Sequence, residues 1–158
     1  MSEAIFAVVV SGLDMSDFLS LLPPLNEIGR SSSYPWPDCD ECSIAIAVCD
    51  GFILAAGRLL ELIGEGLALE ASRKSAALYL CENPDADQYC TAKFTKRRPA
   101  GRVEVSSGDI IDDSMGMFEA DSEGNDDKHY GQINTHELLG SFVGRSIPKV
   151  EWTHYENQ

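Results

Sequence analysis

The residues best placed to do chemistry are two cysteines with the spacing of metal ligands, Cys39 and Cys42, which enclose Asp40 and Glu41. A tetrahedral zinc site needs four ligands, commonly from two such pairs. The other candidate ligands, which stand at no recognised zinc spacing, are Cys49, Cys81, Cys90, His129, His136 and His154. The enclosed carboxylates also raise the thiol pKa, which disfavours a reactive thiolate. Unpaired, reduced thiols are therefore expected, and neither a metal nor a cofactor is predicted.

Residues 121–132 (DSEGNDDKHYGQ) resemble the calcium loop of an EF-hand in the spacing of their carboxylates. The sixth position is Asp126, where the sharp turn needs glycine, and the twelfth is Gln132, where a bidentate glutamate is needed. A solvated loop is the expected structure.

Catalytic and cofactor motifs are absent from the sequence. It contains no G-x-S-x-G, no G-x-G-x-x-G after a strand and no G-x-x-x-x-G-K-[ST], so a phosphate-cradling site is not supported. Three histidines and five cysteines still leave open an enzyme with a Cys–His or carboxylate site.

One basic cluster interrupts an otherwise acidic chain; it comprises Lys93, Lys96, Arg97, Arg98 and Arg102. Tyr89 and Phe94 lie nearby, as in some nucleic-acid-binding patches. The excess of negative charge argues against that function, so the cluster is expected to pair with acidic segments of the same chain or to cap the edge of a hairpin.

Two segments have the composition of a protein-binding surface. The first is an acidic run formed by Asp112, Asp113, Glu119, Asp121, Glu123, Asp126 and Asp127. The second sets two aromatic residues beside carboxylates and comprises Tyr34, Trp36, Asp38, Asp40 and Glu41. Carboxylates on a loop attract Lys and Arg of a partner, and an aromatic anchor is typical of a binding hot spot. The alternatives are a solvated face for the acidic run and, for Trp36, a lid residue packed on its own core.

The net charge of the chain indicates which class of molecule it is expected to bind. The 158 residues carry 26 carboxylates against twelve Lys and Arg, a net of −14, with −7 in residues 1–50, +1 in 51–100 and −8 in 101–158. Phosphate backbones and anionic membranes repel such a surface, whereas a basic protein is attracted to it. The start of the chain lacks the features of a secretory signal, so a cytoplasmic protein is expected.

The hydrophobic pattern that must position these residues predicts several strands. Strands are expected over Ala4–Val10, 75–81, 88–95, Arg102–Ser106, 110–119 and after Pro148, where Val150, Trp152 and His154 share one face. Asp14 is predicted to cap a short helix that ends at Pro23-Pro24. Another short helix is expected after Asn134 or Thr135.

Residues 43–63 fit two patterns. Ile44, Ile46 and Val48 alternate as in a strand, yet an apolar stripe at helical spacing also runs through the segment. We expect a strand followed by a helix that begins near Asp50 and ends at Gly64 or Gly66.

Together these elements predict a single α+β domain over residues 1–158, with exposed loops at 29–41 and 119–132. Strands that cluster without intervening helices indicate a mainly antiparallel sheet, here of about four to six strands with two or three helices packed against it.

The leading functional hypothesis is a small acidic inhibitor of the immunity-protein or phage anti-defence type. It would bind a basic protein, such as a nuclease or a nucleic-acid-handling complex, with carboxylates in place of phosphates. The alternatives are an enzyme with an unrecognised site and a structural or assembly subunit.

Overall fold

The computed structural model describes residues 4–33, 43–83, 87–107, 109–114, 142–144 and 149–158. The strands are β1 (Ile5–Ser11), β2 (Leu25–Ser33), β3 (Ile44–Cys49), β4 (Phe52–Ala56), β5 (Ala76–Asn83), β6 (Gln88–Thr95), β7 (Arg98–Ser106), β8 (Asp109–Asp113) and β9 (Val150–Asn157). The helices are α1 (Met15–Ser20) and α2 (Leu59–Ala71), and α2 continues into a 3-10 turn at Ser72–Lys74.

In the described part of the chain, all nine strands form one sheet in the order β2-β9-β3-β4-β1-β5-β6-β7-β8. Every neighbouring pair is antiparallel. The expectation of four to six strands with two or three packed helices is wrong, because in the described residues the sheet has nine strands and one substantial helix, α2, packs against it. The strands missing from the prediction were β2 and β4.

The β3–β4 hairpin replaces the helix that the sequence pattern predicted from Asp50. Asp50 and Gly51 both have positive φ, 51° and 81°, and Cys49 pairs with Phe52 across them. Two central residues with positive φ are typical of the type I′ turn, for which Asp-Gly is a preferred sequence. Residues 52–56 consequently run as a strand, and α2 begins only at Leu59.

Helix α2 also extends beyond its predicted end at Gly64 or Gly66, to Ala71. The helix crosses one face of the sheet and packs on β1 and β5. A Cβ atom on Gly64 would lie 2.5 Å from Cε1 of Tyr79 on β5. Gly64 therefore allows close contact between helix and sheet and does not end the helix.

Both faces of the central strands are buried, which explains the continuous apolar run of β1. Val8 and Val10 join the core beneath the helices, and Ala7 and Val9 join the core on the opposite face. There Trp152 is fully buried and Phe142 packs edge-on against Phe52, with ring centroids 6.0 Å apart. The predicted buried strand over Ala4–Val10 is confirmed.

Several local predictions are also confirmed. The side chain of Asp14 accepts a hydrogen bond from the backbone N–H of Asp17 at 2.8 Å, as expected of the cap of α1. The strands expected over 75–81 and 88–95 pair as the β5–β6 hairpin. The prediction of a loop over 29–41 is wrong for residues 29–33, which belong to β2; residues 34–41 lie outside the described residues, as does the whole of 119–132.

The β6–β7 turn is held against the 3-10 turn. Lys96 and Arg97 have positive φ, 49° and 64°, and Thr95 pairs with Arg98. The backbone N–H of Lys96 donates to the carbonyl oxygen of Ser72 at 3.0 Å, and that of Arg97 donates to Ser72 Oγ at 2.9 Å. These bonds compensate for a backbone conformation that non-glycine residues rarely adopt.

Candidate functional site

Strand β8 carries the part of the predicted protein-binding surface that lies in the described chain. It stands at one end of the sheet and pairs with β7. Three of its five residues are carboxylates, Asp109, Asp112 and Asp113. We call Asp109–Asp113 the β8 edge.

A bulge in this strand turns an apolar side chain to the surface. Asp112 pairs with Glu104 and Ile110 with Val105, so Ile111 is an extra residue between two paired positions. The side chain of Ile111 is 62% exposed. The β8 edge thus presents a large apolar group with carboxylates on both sides of it.

The carboxylate of Asp112 is held in place by the end of the strand. Its Oδ1 accepts a hydrogen bond from the backbone N–H of Ser114 at 3.0 Å. Ser114 Oγ in turn accepts from the backbone N–H of Arg102 on β7 at 2.8 Å. These two hydrogen bonds fix the position of the negatively charged Asp112 carboxylate at the margin of the sheet.

Nearby cationic side chains do not fully neutralise the carboxylates of the β8 edge. Arg102 pairs with Glu65 on α2, and its Nε lies 3.8 Å from Glu104. No ion pair joins Asp109 or Asp112 to another described residue. The β8 edge consequently keeps a net negative charge.

The other predicted binding residues lie outside the described part of the chain; they are Tyr34, Trp36, Asp38, Asp40, Glu41, Glu119, Asp121, Glu123, Asp126 and Asp127. Ser33, which precedes the aromatic segment, ends β2 at the opposite margin of the sheet from β8. With strands about 4.8 Å apart, eight spacings, roughly 38 Å measured along the sheet, lie between the two margins. The described backbone therefore does not bring the start of the aromatic segment beside Asp112 and Asp113.

Most of the basic cluster lies near the β6–β7 turn, whereas Arg102 contacts Ser114 beside the β8 edge. Arg97 pairs with Glu70 at 3.2 Å, and Arg102 with Glu65. Pairing within the chain was expected, and it holds for these two residues. Lys96 and Arg98 stand at the exposed turn itself.

Cys81 and Cys90 face each other across β5 and β6, a pairing that their spacing in the sequence does not indicate. Both are free thiols and buried, and Cys49 is buried as well. Burial, with smaller contributions that include nearby Glu104, raises the pKa of Cys81 to about 11 and that of Cys90 to about 12. These thiols stay protonated at neutral pH, so they are poor nucleophiles.

A second pair that the sequence did not reveal lies near the β2 margin. Ser31 Oγ is 2.5 Å from Nε2 of His154, although 123 residues separate the two in sequence. Only the pairing of β2 with β9 brings them together, so no local signal could have found the pair.

In the described ranges, no group of three or more His, Cys, Asp or Glu side chains is arranged to hold a metal ion. Nor does any helix there have the length and apolar character needed to cross a membrane. Comparison of the chain with family models, curated proteins and solved structures gave no significant match.

Proposed function

We propose that the protein is a small acidic inhibitor that acts in the cytoplasm. It binds a cationic protein, such as a nuclease or a nucleic-acid-handling complex, and covers the surface that would otherwise hold phosphates. Its carboxylates take the place of phosphates, so it has no need to bind nucleic acid or a membrane itself.

The observation that carries this proposal is the β8 edge. Binding hot spots combine an apolar anchor, which loses contact with water, with a surrounding polar rim. Ile111 supplies such an anchor, and Asp109, Asp112 and Asp113 supply a rim of one charge sign. A partner with an apolar recess among Lys and Arg residues is complementary to this arrangement.

The distribution of charge over the chain supports steering of such a partner. The described residues hold fifteen carboxylates and ten Lys and Arg, a net of −5. The remaining residues therefore carry −9 of the total of −14, mostly in the segments that contain the predicted aromatic and acidic sites. Long-range attraction of this kind raises association rates and weakens with salt.

The test begins with capture of binding proteins from the native host at low salt, followed by kinetic measurements on each purified partner. Asp112→Asn/Asp113→Asn removes two charges from the β8 edge without changing side-chain size. Glu61→Gln/Glu156→Gln is the matched control, because it removes two exposed charges from α2 and β9. The first variant should slow association several-fold, and the control should have a much smaller effect.

Apolar anchoring is tested separately by Ile111→Ser. Loss of one buried isoleucine side chain from an interface is worth about 1.5–3 kcal/mol, so the dissociation rate should rise by roughly 10-fold or more. Leu62→Ser is its control, since Leu62 is 86% exposed on α2.

Inhibition itself requires that a captured nuclease loses activity when the protein is added at stoichiometric amounts. Unchanged nuclease activity, or kinetics that neither variant alters, would refute the proposal. Self-association in sedimentation experiments without a foreign partner would instead favour an assembly subunit.

A further inference from the structure

The close contact between Ser31 and His154 has the geometry of an activated nucleophile. Ser31 Oγ lies 2.5 Å from Nε2 of the imidazole, and the hydroxyl is on the exposed side of the molecule. A serine hydroxyl is a weak nucleophile by itself and becomes effective when an adjacent base accepts its proton. A neutral histidine within hydrogen-bond reach is the commonest such base.

The residue that faces His154 on the neighbouring strand is a glycine. Gly29 pairs directly with His154 across β2 and β9. A Cβ atom built on Gly29 would meet no other atom within 4 Å. The strand partner opposite the imidazole therefore presents no side chain, and a Cβ placed there would not be blocked.

The sheet margin supplies hydrogen-bond donors. In the described part of the chain, β2 pairs with β9 on one side only. Backbone N–H groups alternate in direction along an antiparallel strand, so half of those in β2 point away from β9. Such groups can stabilise negative charge that develops on an acyl oxygen.

We propose that Ser31 and His154 form a nucleophile–base pair that hydrolyses small activated esters, an activity independent of the inhibitory function. Ser31 Oγ attacks the ester carbonyl carbon while His154 Nε2 takes the hydroxyl proton. The C–O bond to the leaving group then breaks, and that group departs with the proton from His154. A water molecule then attacks the acyl-serine while His154 accepts its proton; the acyl C–Oγ bond breaks, His154 returns the proton to Ser31 Oγ, and a carboxylic acid is released.

The first experiment measures reaction with 4-nitrophenyl acetate. Release of 4-nitrophenolate is followed by absorbance, and the acetylated residue is located by peptide mass spectrometry after acid quenching. The native protein should carry acetyl at Ser31. Ser31→Ala should abolish that adduct, and His154→Gln should slow its formation by about 100-fold. Ser32→Ala, which changes the next residue on the strand, should react like the native protein.

A second measurement needs no assumption about the substrate. In Ser31→Cys the new thiol would lie beside the imidazole, whereas in Ser32→Cys it would not. Iodoacetamide should alkylate residue 31 at least 10-fold faster than residue 32, because a neighbouring histidine favours the thiolate. Equal alkylation rates, or acetylation that maps only to lysines and persists in Ser31→Ala, would overturn the proposal. Neither result bears on partner binding at the β8 edge.

Discussion

Replacement of Gly64 by alanine tests how closely α2 lies on the sheet. The added Cβ would lie 2.5 Å from Cε1 and 2.8 Å from Cδ1 of Tyr79. Carbon atoms normally pack at about 3.5–4.0 Å, so one of the two elements must move. The ring is not free to move, since Tyr79 is only 8% exposed and belongs to the core beneath the helix.

Gly66 provides a matched control in the same helix, because a Cβ there would meet nothing within 4 Å. Alanine gains about 1 kcal/mol of helix propensity over glycine at either position. Overpacking costs about 1–3 kcal/mol and applies to Gly64→Ala alone. Gly66→Ala should therefore stabilise the protein, and Gly64→Ala should be less stable than Gly66→Ala by about 1–3 kcal/mol.

Urea unfolding followed by tryptophan fluorescence measures this difference, since Trp152 is fully buried in the folded state. With a slope of about 2 kcal/mol per molar urea, the two midpoints should differ by roughly 0.5–1.5 M. In a Tyr79→Ala background the ring is gone, and the difference between the two alanine variants should shrink to the effect of the remaining 3.2 Å contact with Leu60. Equal midpoints with Tyr79 present, or a difference of the same size without it, would refute the argument.

Three further predictions concern stability. Ser72→Ala should lower the free energy of unfolding by about 1–3 kcal/mol in urea titrations, because it leaves the backbone N–H of Arg97 without its hydroxyl acceptor; an unchanged midpoint would contradict this. Asp14→Ala should cost about 1 kcal/mol through loss of the helix cap, and Asp14→Asn should cost much less. Burial raises the pKa of Cys81 from 9.0 to about 11 and that of Cys90 from 9.0 to about 12, so the folded state keeps protons that the unfolded chain has released. The free energy of unfolding should therefore fall as the pH rises from about 9 towards 12, and a Cys81→Ala/Cys90→Ala variant should show a shallower fall in titrations at stepped pH.

Features with a local cause were predictable from the sequence. The Asp14 cap needs only the side chain and a backbone N–H three residues later, and β1 needs only its apolar run. The β3–β4 hairpin was also signalled locally, by Asp50-Gly51. The apolar stripe at helical spacing favours a helix from Asp50, with Asp50 as its cap, and that prediction is wrong because Asp50-Gly51 forms the hairpin turn instead.

Features that depend on distant pairing gave no such signal. Leu25–Ser33 contains only two large apolar residues, and its partner β9 lies more than a hundred residues later in the sequence. The contact between Ser31 and His154 follows from the same pairing. Of the predicted binding residues, the structure places Asp112 and Asp113, which are half-buried, and the exposure of Ile111 beside them depends on a bulge that composition does not reveal.

The position of β9 between β2 and β3 has a consequence for biosynthesis. A ribosome makes β9 after all the other described strands, so β2 must remain without its neighbour while more than a hundred further residues are added. Most residues of β2 are polar or charged: serine, asparagine, glutamate and arginine. While β2 is still unpaired, this composition gives it little tendency to aggregate. Its polar composition thus suits a strand that enters the sheet last, when the newly made β9 reaches it.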